Sequence, residues 1–282
     1  MIWKYALLIL AIAAGASLLG AFGLHWEADR QAWDAFQAIE RSASGTNEVF
    51  DPAMVADMPE IARRYFLHAI APGTPLRTTV RLEMEGKFLL GDKDEFQTYA
   101  MTADQILSPP AAFVWMPRMR SGVMEITGSD ALVEGEAWTR FWINGLLPVV
   151  NLTGGVDLTR SARSRPAMEA VWAPASLLPS NGVTWVQVGP DTAEVAFGTE
   201  VEPVRMTLAP NGAVIEVATT RWSDANPDKQ YRLQPFGGTL GREVTFEGFT
   251  IPTEVSIGNH FRTDNFLPFF QASIRSAEYL PR

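Results

Sequence analysis

From Thr78 to Gly86 the chain reads TTVRLEMEG, in which Val80, Leu82 and Met84 alternate with Arg81, Glu83 and Glu85. A period of two writes a β-strand with one dry face and one wet face. The same writing recurs towards the C-terminus. VTWVQVGPDTAEVAF predicts a hairpin about Gly189-Pro190-Asp191, VRMTLAPNGAVIEV another about Pro210-Asn211-Gly212, and REVTFEGFTIPTEVSI a third joined near Glu247-Gly248. Short strands separated by turn residues at this spacing predict an antiparallel meander. Strands and helices do not alternate and no nucleotide-binding glycine pattern occurs, which argues against a parallel α/β sheet.

Upstream, the period is helical. Ala32, Phe36 and Ile39, with Trp33 beside them, predict an amphipathic helix over Asp29 to Arg41, and Ser42 to Asn47 read as a linker. A second helix is expected to start at Asp57-Met58-Pro59, with proline in the first turn and Asp57 near the cap. Its apolar face is Ile61, Tyr65, Phe66, Ala69 and Ile70, and Pro72-Gly73 ends it.

One stretch interrupts the β-rich run. Asp157 is placed to cap a helix beginning LTRSARS, Pro166 should break or kink it, and Ala167 to Trp172 resume before Pro174 stops them. The continuation EAVWAPASLLPSNGVTW is too broken for a long helix and too apolar for an exposed loop. Met168, Val171, Trp172, Leu177 and Leu178 need a surface, and Trp138, Phe141, Trp142 and Ile143 offer one. Burying each such side chain contributes roughly 1.5 to 3 kcal/mol, enough to decide where the segment docks. The expected fold class is therefore mainly β (α+β): a curved antiparallel sheet or half-barrel whose concave face is plugged by short helices.

The N-terminus adds an element of another kind. Tyr5 to Leu24 contains no charged side chain, long enough to cross a hydrocarbon core of ~30 Å. Ala14-Gly15-Ala16 looks like a cleavage site, but the apolar run continues past it, which favours an uncleaved anchor over a signal peptide. Residues 1–25 are thus expected to be a transmembrane anchor or signal segment, 26–50 an amphipathic helix and linker, and 51–282 a single β-rich domain. Lys4 precedes the span and Glu27 and Asp29 follow it, so the positive-inside tendency places the body outside the cytoplasm, on a single-pass inner or plasma membrane protein.

Composition narrows the partners. A net charge of −9 argues against nucleic acid. Cysteine is absent, which removes thiolate nucleophiles, Cys-ligated zinc and disulfides. His25, His68 and His260 form no metal-ligand spacing, and no Gly-x-Ser-x-Gly elbow is present. No catalytic residue, metal site or cofactor is expected.

Several segments together carry a resemblance: LHAIAPGTPL after RRYF, AAFVWMPRM, MEAVWAPASLLP and GFTIPTEVSIGNHF. They resemble a group of bacterial membrane-anchored proteins known only as a domain of unknown function, with the hallmark Trp-x-Pro-x-x-Leu-Leu-Pro, here Trp172 to Pro179. Where that group carries Pro-Gly before its Phe-x-Trp element, this chain has Pro109-Pro110-Ala111-Ala112. More distantly, the inferred architecture is similar to the lipoprotein-carrier class, which implies an apolar cavity able to accept acyl chains.

The candidate site follows from the plug. Arg160 and Arg163 share a helix face and suit a phosphate or carboxylate head group. Glu169 lies in apolar surroundings and needs Arg163 or Arg165 beside it. Trp172, Leu177, Leu178, Trp138 and Trp142 are the expected apolar contacts. The expected function is a membrane-tethered, extracytoplasmic protein that binds or transfers a lipid or other apolar ligand. Two alternatives stay open: an interaction module docking a membrane-protein partner, and a hydrolase using carboxylates centred on Glu169 or the acids near Asp130.

Overall fold

The computed structural model describes residues 2–43 and 48–281, and for residue 2 and residues 4–18 the helical backbone alone. Its helices are α1 (Ile2–Ser42), α2 (Glu60–Ala69) and α3 (Val156–Glu169). The first run of strands comprises β1 (Thr79–Gly91), β2 (Phe96–Ser108), β3 (Ala112–Ser121), β4 (Met124–Val133), β5 (Glu136–Ile143) and β6 (Leu147–Thr153). The second comprises β7 (Thr184–Gln187), β8 (Thr192–Ala196), β9 (Val204–Leu208), β10 (Val214–Ser223), β11 (Arg232–Phe246), β12 (Phe249–Asn259) and β13 (Leu267–Leu280). All belong to one antiparallel sheet in the order β6-β5-β4-β3-β2-β1-β13-β12-β11-β10-β9-β8-β7.

The order follows from two meanders welded at their ends, because β13 returns to pair with β1 from Thr79↔Leu280 to Phe88↔Phe270. Irregular register at Glu83/Met84, Phe141/Trp142, Val214/Glu216 and Ile257/Asn259 marks bulges, which bend a strand and raise its twist. The curved sheet therefore has a concave and a convex face, each with its own core. Segment 156–181 fills much of the concave face. On the convex face Ala32, Phe36 and Ile39 of α1 pack against Ile106, Val114, Ala131 and Leu280.

Helix α2 buries Ile61, Tyr65, Phe66 and Ala69, with the Trp185 ring 5.4 Å from both Tyr65 and Phe66. Its polar side is tied down as well: His68 Nε2 lies 2.8 Å from Glu243 on β11, and Arg64 donates to Asp191 in the β7–β8 turn at 2.9 Å. Asp57 does not cap this helix, which enters directly after Pro59.

Two local expectations change. Helix α3 runs through Pro166 to Glu169, since proline's φ is helical and the ring removes only one interior hydrogen bond; the chain breaks afterwards into short 3-10 turns at Ala170–Trp172, Pro174–Leu177 and Pro179–Asn181. Asp157 accepts from Trp222 Nε1 at 2.8 Å, while Gly155 stands at the cap. The Pro109-Pro110 turn closes without glycine, through Ala111 N–H donating to Ser108 O at 3.0 Å. None of residues 109–112 has a positive φ, so no glycine is required there.

Helix α1 is continuous from Ile2 to Ser42, so the expected amphipathic segment is the end of one long helix. Among the described residues no helix is long and apolar enough to cross a membrane. Most of the expected span, residues 5–18 of Tyr5 to Leu24, has side chains outside the described residues, and the linker positions 44–47 lie outside them entirely.

Candidate ligand cavity

The plug is held by donors aimed at its own carbonyls, as buried irregular backbone requires. Tyr279 Oη donates to Trp172 O at 3.0 Å, Trp185 Nε1 to Leu177 O at 2.9 Å, and Asn181 Nδ2 to Ala175 O at 2.8 Å. Trp172 in turn donates its Nε1–H to Pro252 O on β12 at 3.0 Å. Leu177 and Leu178 are buried in the core around these bonds.

Between the plug and the concave face a cavity of about 280 Å³ remains. Its walls are Phe88, Phe141, Phe269 and Phe270 from the sheet, and Met168, Val171 and Trp172 from the plug. Leu90 and Val149 line it while being 37% and 53% exposed, so they mark its rim. Val149 lies just beyond the β5–β6 turn, against which His25 of α1 packs: the His25 and Trp142 rings are 5.1 Å apart.

One part of the wall is polar. Trp115, Asp130 and Thr139 of that wall sit opposite one another on β3, β4 and β5, and Gln105 on β2 continues the row across the concave face without lining the cavity. Thr139 Oγ1 donates to Asp130 Oδ1 at 2.7 Å, and Arg165 of α3 donates to Asp130 Oδ2 at 2.6 Å. Arg165 also donates to Glu169 Oε1 at 2.9 Å, while Gln105 Nε2 donates to Glu169 Oε2 at 2.6 Å. The guanidinium lies 4.3 Å from the Phe113 ring centroid and 5.4 Å from that of Trp115. Burial works against its charge, but Glu169 and Asp130 outweigh burial and raise its pKa.

Arg221 of β10 faces the same cavity in a different electrostatic condition. Burial pulls its pKa below the ordinary value, against the partial support of Asp130 and Glu169. Its one hydrogen bond among the described residues is long, Nε to Ser161 O at 3.4 Å, and its guanidinium stands 4.9 Å from the Phe236 ring centroid.

The structure brings Glu169 and Trp172 together at the cavity and sends the other expected residues elsewhere. Arg160 and Arg163 line a separate open cleft, where Arg163 donates to Glu200 at 2.9 Å and Arg160 stacks 4.0 Å from the Trp222 ring, 3.8 Å from Glu202. Trp138 and Trp142 share the convex face with α1, because side chains alternate and only the odd positions of β5, Thr139 and Phe141 among them, look inward. Leu177 and Leu178 pack in the core behind the plug without lining the cavity.

Sequence reasoning missed Gln105, Trp115, Arg221 and Thr139. A signal existed in three of them: Gln105 follows Met101 and Ala103, Thr139 precedes Phe141, and Arg221 follows Val217 and Thr219, all in dry-face parity. Polar residues written into the dry parity of a strand are candidates for an internal site. The histidines serve structure, His260 Nε2 lying 2.8 Å from Ala225 O, and no group of metal-ligating side chains occurs among the described residues.

Three comparisons bear on the chain. Residues 48–272 match the model of the Family of unknown function (DUF6544). No curated protein matches. Among solved structures the chain is similar to a LolA superfamily protein from Nitrosomonas europaea, at 8% identity and a TM-score of 0.42 over 77% of this chain and 91% of that one. It is also similar to a putative outer membrane lipoprotein-sorting protein domain from Vibrio parahaemolyticus (9%, TM-score 0.39, 78% and 91%). A third is a DUF1329 family protein from Desulfovibrio piger (10%, TM-score 0.41, 82% and 94%).

Proposed function

We infer the task of this chain, which belongs to the family of unknown function DUF6544, from its cavity: it is a membrane-tethered protein that binds a lipid or other apolar ligand between the concave sheet and the plug. The observation that carries this reading is the apolar cavity of about 280 Å³ with a rim at Leu90 and Val149. That volume lies near the lower end of ligand pockets, roughly 300 Å³.

The tether rests on the uncharged run Tyr5 to Leu24, and the position of Lys4 before it places the body outside the cytoplasm. Geometry supports a ligand arriving from the bilayer. His25 sits against Gly145 in the β5–β6 turn, so α1 reaches the end of the sheet at which Val149 and the rim lie. A carboxylate hydrolase is less well supported, because both oxygens of Glu169 and both of Asp130 are already engaged by Arg165, Gln105 and Thr139.

The test is native mass spectrometry of the full chain released from its detergent in the gas phase. The expected result is one apolar molecule retained per wild-type chain and none on Ile257→Trp, which fills the cavity from β12. Wild-type chain that carries nothing, and takes up nothing from added membrane lipids, overturns the reading.

A further inference from the structure

Resting on that reading of the cavity, we propose that its occupant is a single-chain amphiphile with an oxyanion head, in the simplest form a long-chain carboxylate, and that Arg221 and Trp115 receive the head. The cavity is small for two acyl chains, and its charged side chains gather at the wall formed by α3, which Asp130 reaches from β4 and Arg221 from β10. That combination suits one chain with one head group.

Donors exceed acceptors on that wall. Each of the four carboxylate oxygens of Asp130 and Glu169 already accepts a hydrogen bond, from Thr139, Gln105 or Arg165. Against them stand donors with nothing to donate to. Trp115 is 4% exposed, and its buried Nε1–H has no partner among the described residues. Nη1 and Nη2 of Arg221 likewise form no hydrogen bond or ion pair among the described residues, and Arg165 uses Nε and Nη1 only. For the Trp115 N–H, a buried donor without an acceptor is a standing cost to the folded chain that a ligand oxygen removes, while the half-buried Arg221 lines the cavity and can meet the same head group.

The kind of acceptor follows from the kind of donor. A guanidinium with both terminal nitrogens free presents a planar fork, which matches the two oxygens of a carboxylate or phosphate better than a single carbonyl. Phe236 beneath the Arg221 guanidinium gives that fork a fixed apolar backing. Arg165 is already paired with both Asp130 and Glu169, whereas Arg221 makes no ion pair among the described residues, so the charge of an anionic head group falls to Arg221. The surrounding phenylalanines, Phe88, Phe269 and Phe270 among them, then take the alkyl chain.

The experiment compares palmitate with methyl palmitate, which has the same chain and a head without charge. The full chain is exchanged into a fluorinated surfactant, and the population of one-to-one complexes is read by native mass spectrometry. On the wild type we expect palmitate to bind about tenfold or more tightly than the ester, as befits a charged hydrogen-bonded head. Arg221→Met should abolish that preference by weakening palmitate far more than the ester, Arg221→Lys should retain part of it, and Trp115→Phe should weaken palmitate by a smaller factor. Equal binding of both ligands to the wild type, or parallel loss of both in Arg221→Met, overturns the head-group assignment and leaves the cavity reading standing. Failure of both ligands on the wild type counts against the cavity reading itself.

Discussion

Arg165 donates to Asp130 at 2.6 Å, and this bond joins the plug to the sheet at a point where both side chains are largely buried. Arg165 serves Glu169 at the same time, so one cation holds two carboxylates on two elements. Replacing Arg165 with Met leaves those carboxylates facing each other without their cation. Removing one partner of a buried pair costs about 3–5 kcal/mol. We expect Arg165→Met to lower the urea midpoint accordingly at neutral pH. The combined variant Asp130→Asn, Arg165→Met, Glu169→Gln should recover part of the loss, because the two carboxylates lose their charge together with their cation and Arg221 alone stays charged beside them. Equal losses in the single and triple variants would count against a charge-based coupling.

A second prediction concerns acid. Asp104 on β2 stands directly opposite Glu83 on β1, and burial first, then Glu83, raises its pKa against the opposing pull of Arg81. The folded state therefore holds the Asp104 proton to higher pH than the unfolded state does. Stability from this group is present in acid and falls as pH rises from the ordinary carboxylate value through the raised one. Asp104→Asn removes that loss. It should stabilise the chain by on the order of 0.5 kcal/mol at neutral pH, with the gain vanishing below the ordinary aspartate range. Unfolding midpoints of the two chains across that range check the sign. A constant difference at all pH values would contradict it.

Turn chemistry separates two glycines of similar backbone. Gly73 has φ +83° and open space where a Cβ would stand, whereas Gly248, at φ +93° in the β11–β12 turn, would drive a Cβ into the Thr74 side chain. Gly73→Ala should cost only the left-handed strain, roughly 1–2 kcal/mol. Gly248→Ala should cost clearly more, since Thr74 is buried and its hydroxyl donates to Gly248 O. Thermal unfolding of the two variants side by side measures the gap, and equal costs would mean that Thr74 moves aside freely.

Much of the sheet is written in the sequence because a strand's period of two is local. The three turns at Gly189-Pro190-Asp191, Pro210-Asn211-Gly212 and Glu247-Gly248 carry residues that turns demand, and each joins the strands it was expected to join. The plug was legible for a different reason: Met168, Val171, Trp172, Leu177 and Leu178 all had to be buried, and all are. What sequence did not specify is which face or partner an individual polar side chain reaches. Arg160, Arg163 and Arg165 lie within two turns of one helix, yet only Arg165 points to the cavity, since a rotation of about 100° per residue separates cleft from core. Arg221 comes to α3 from 60 positions away, as its bond to Ser161 shows, through the curvature of the sheet and not through any local spacing.

The last prediction tests where the cavity faces. Leu19, Phe22 and Leu24 of α1 are exposed, at the end of the helix that leaves the sheet beside Gly145. Val123 in the β3–β4 turn and Val149 at the cavity rim are apolar and exposed too, although neither has a packing role that explains its chemistry. Leu67 on α2 is comparably exposed but lies among the β7–β8, β9–β10 and β11–β12 turns, where Arg64 reaches Asp191 and Gly212 abuts Arg64. If α1 anchors the chain, Val123 and Val149 approach the bilayer and Leu67 does not. The chain has no cysteine, so Val123→Cys, Val149→Cys and Leu67→Cys each carry a single environment-sensitive label without further changes. In liposomes we expect blue-shifted emission and quenching by lipid-borne quenchers at the first two positions alone. Such a result would place the cavity rim at the membrane surface, as direct passage of a ligand between bilayer and cavity requires. Labels at Val123 and Val149 that stay in water would detach the rim from the membrane and require a ligand delivered through solution or by another protein.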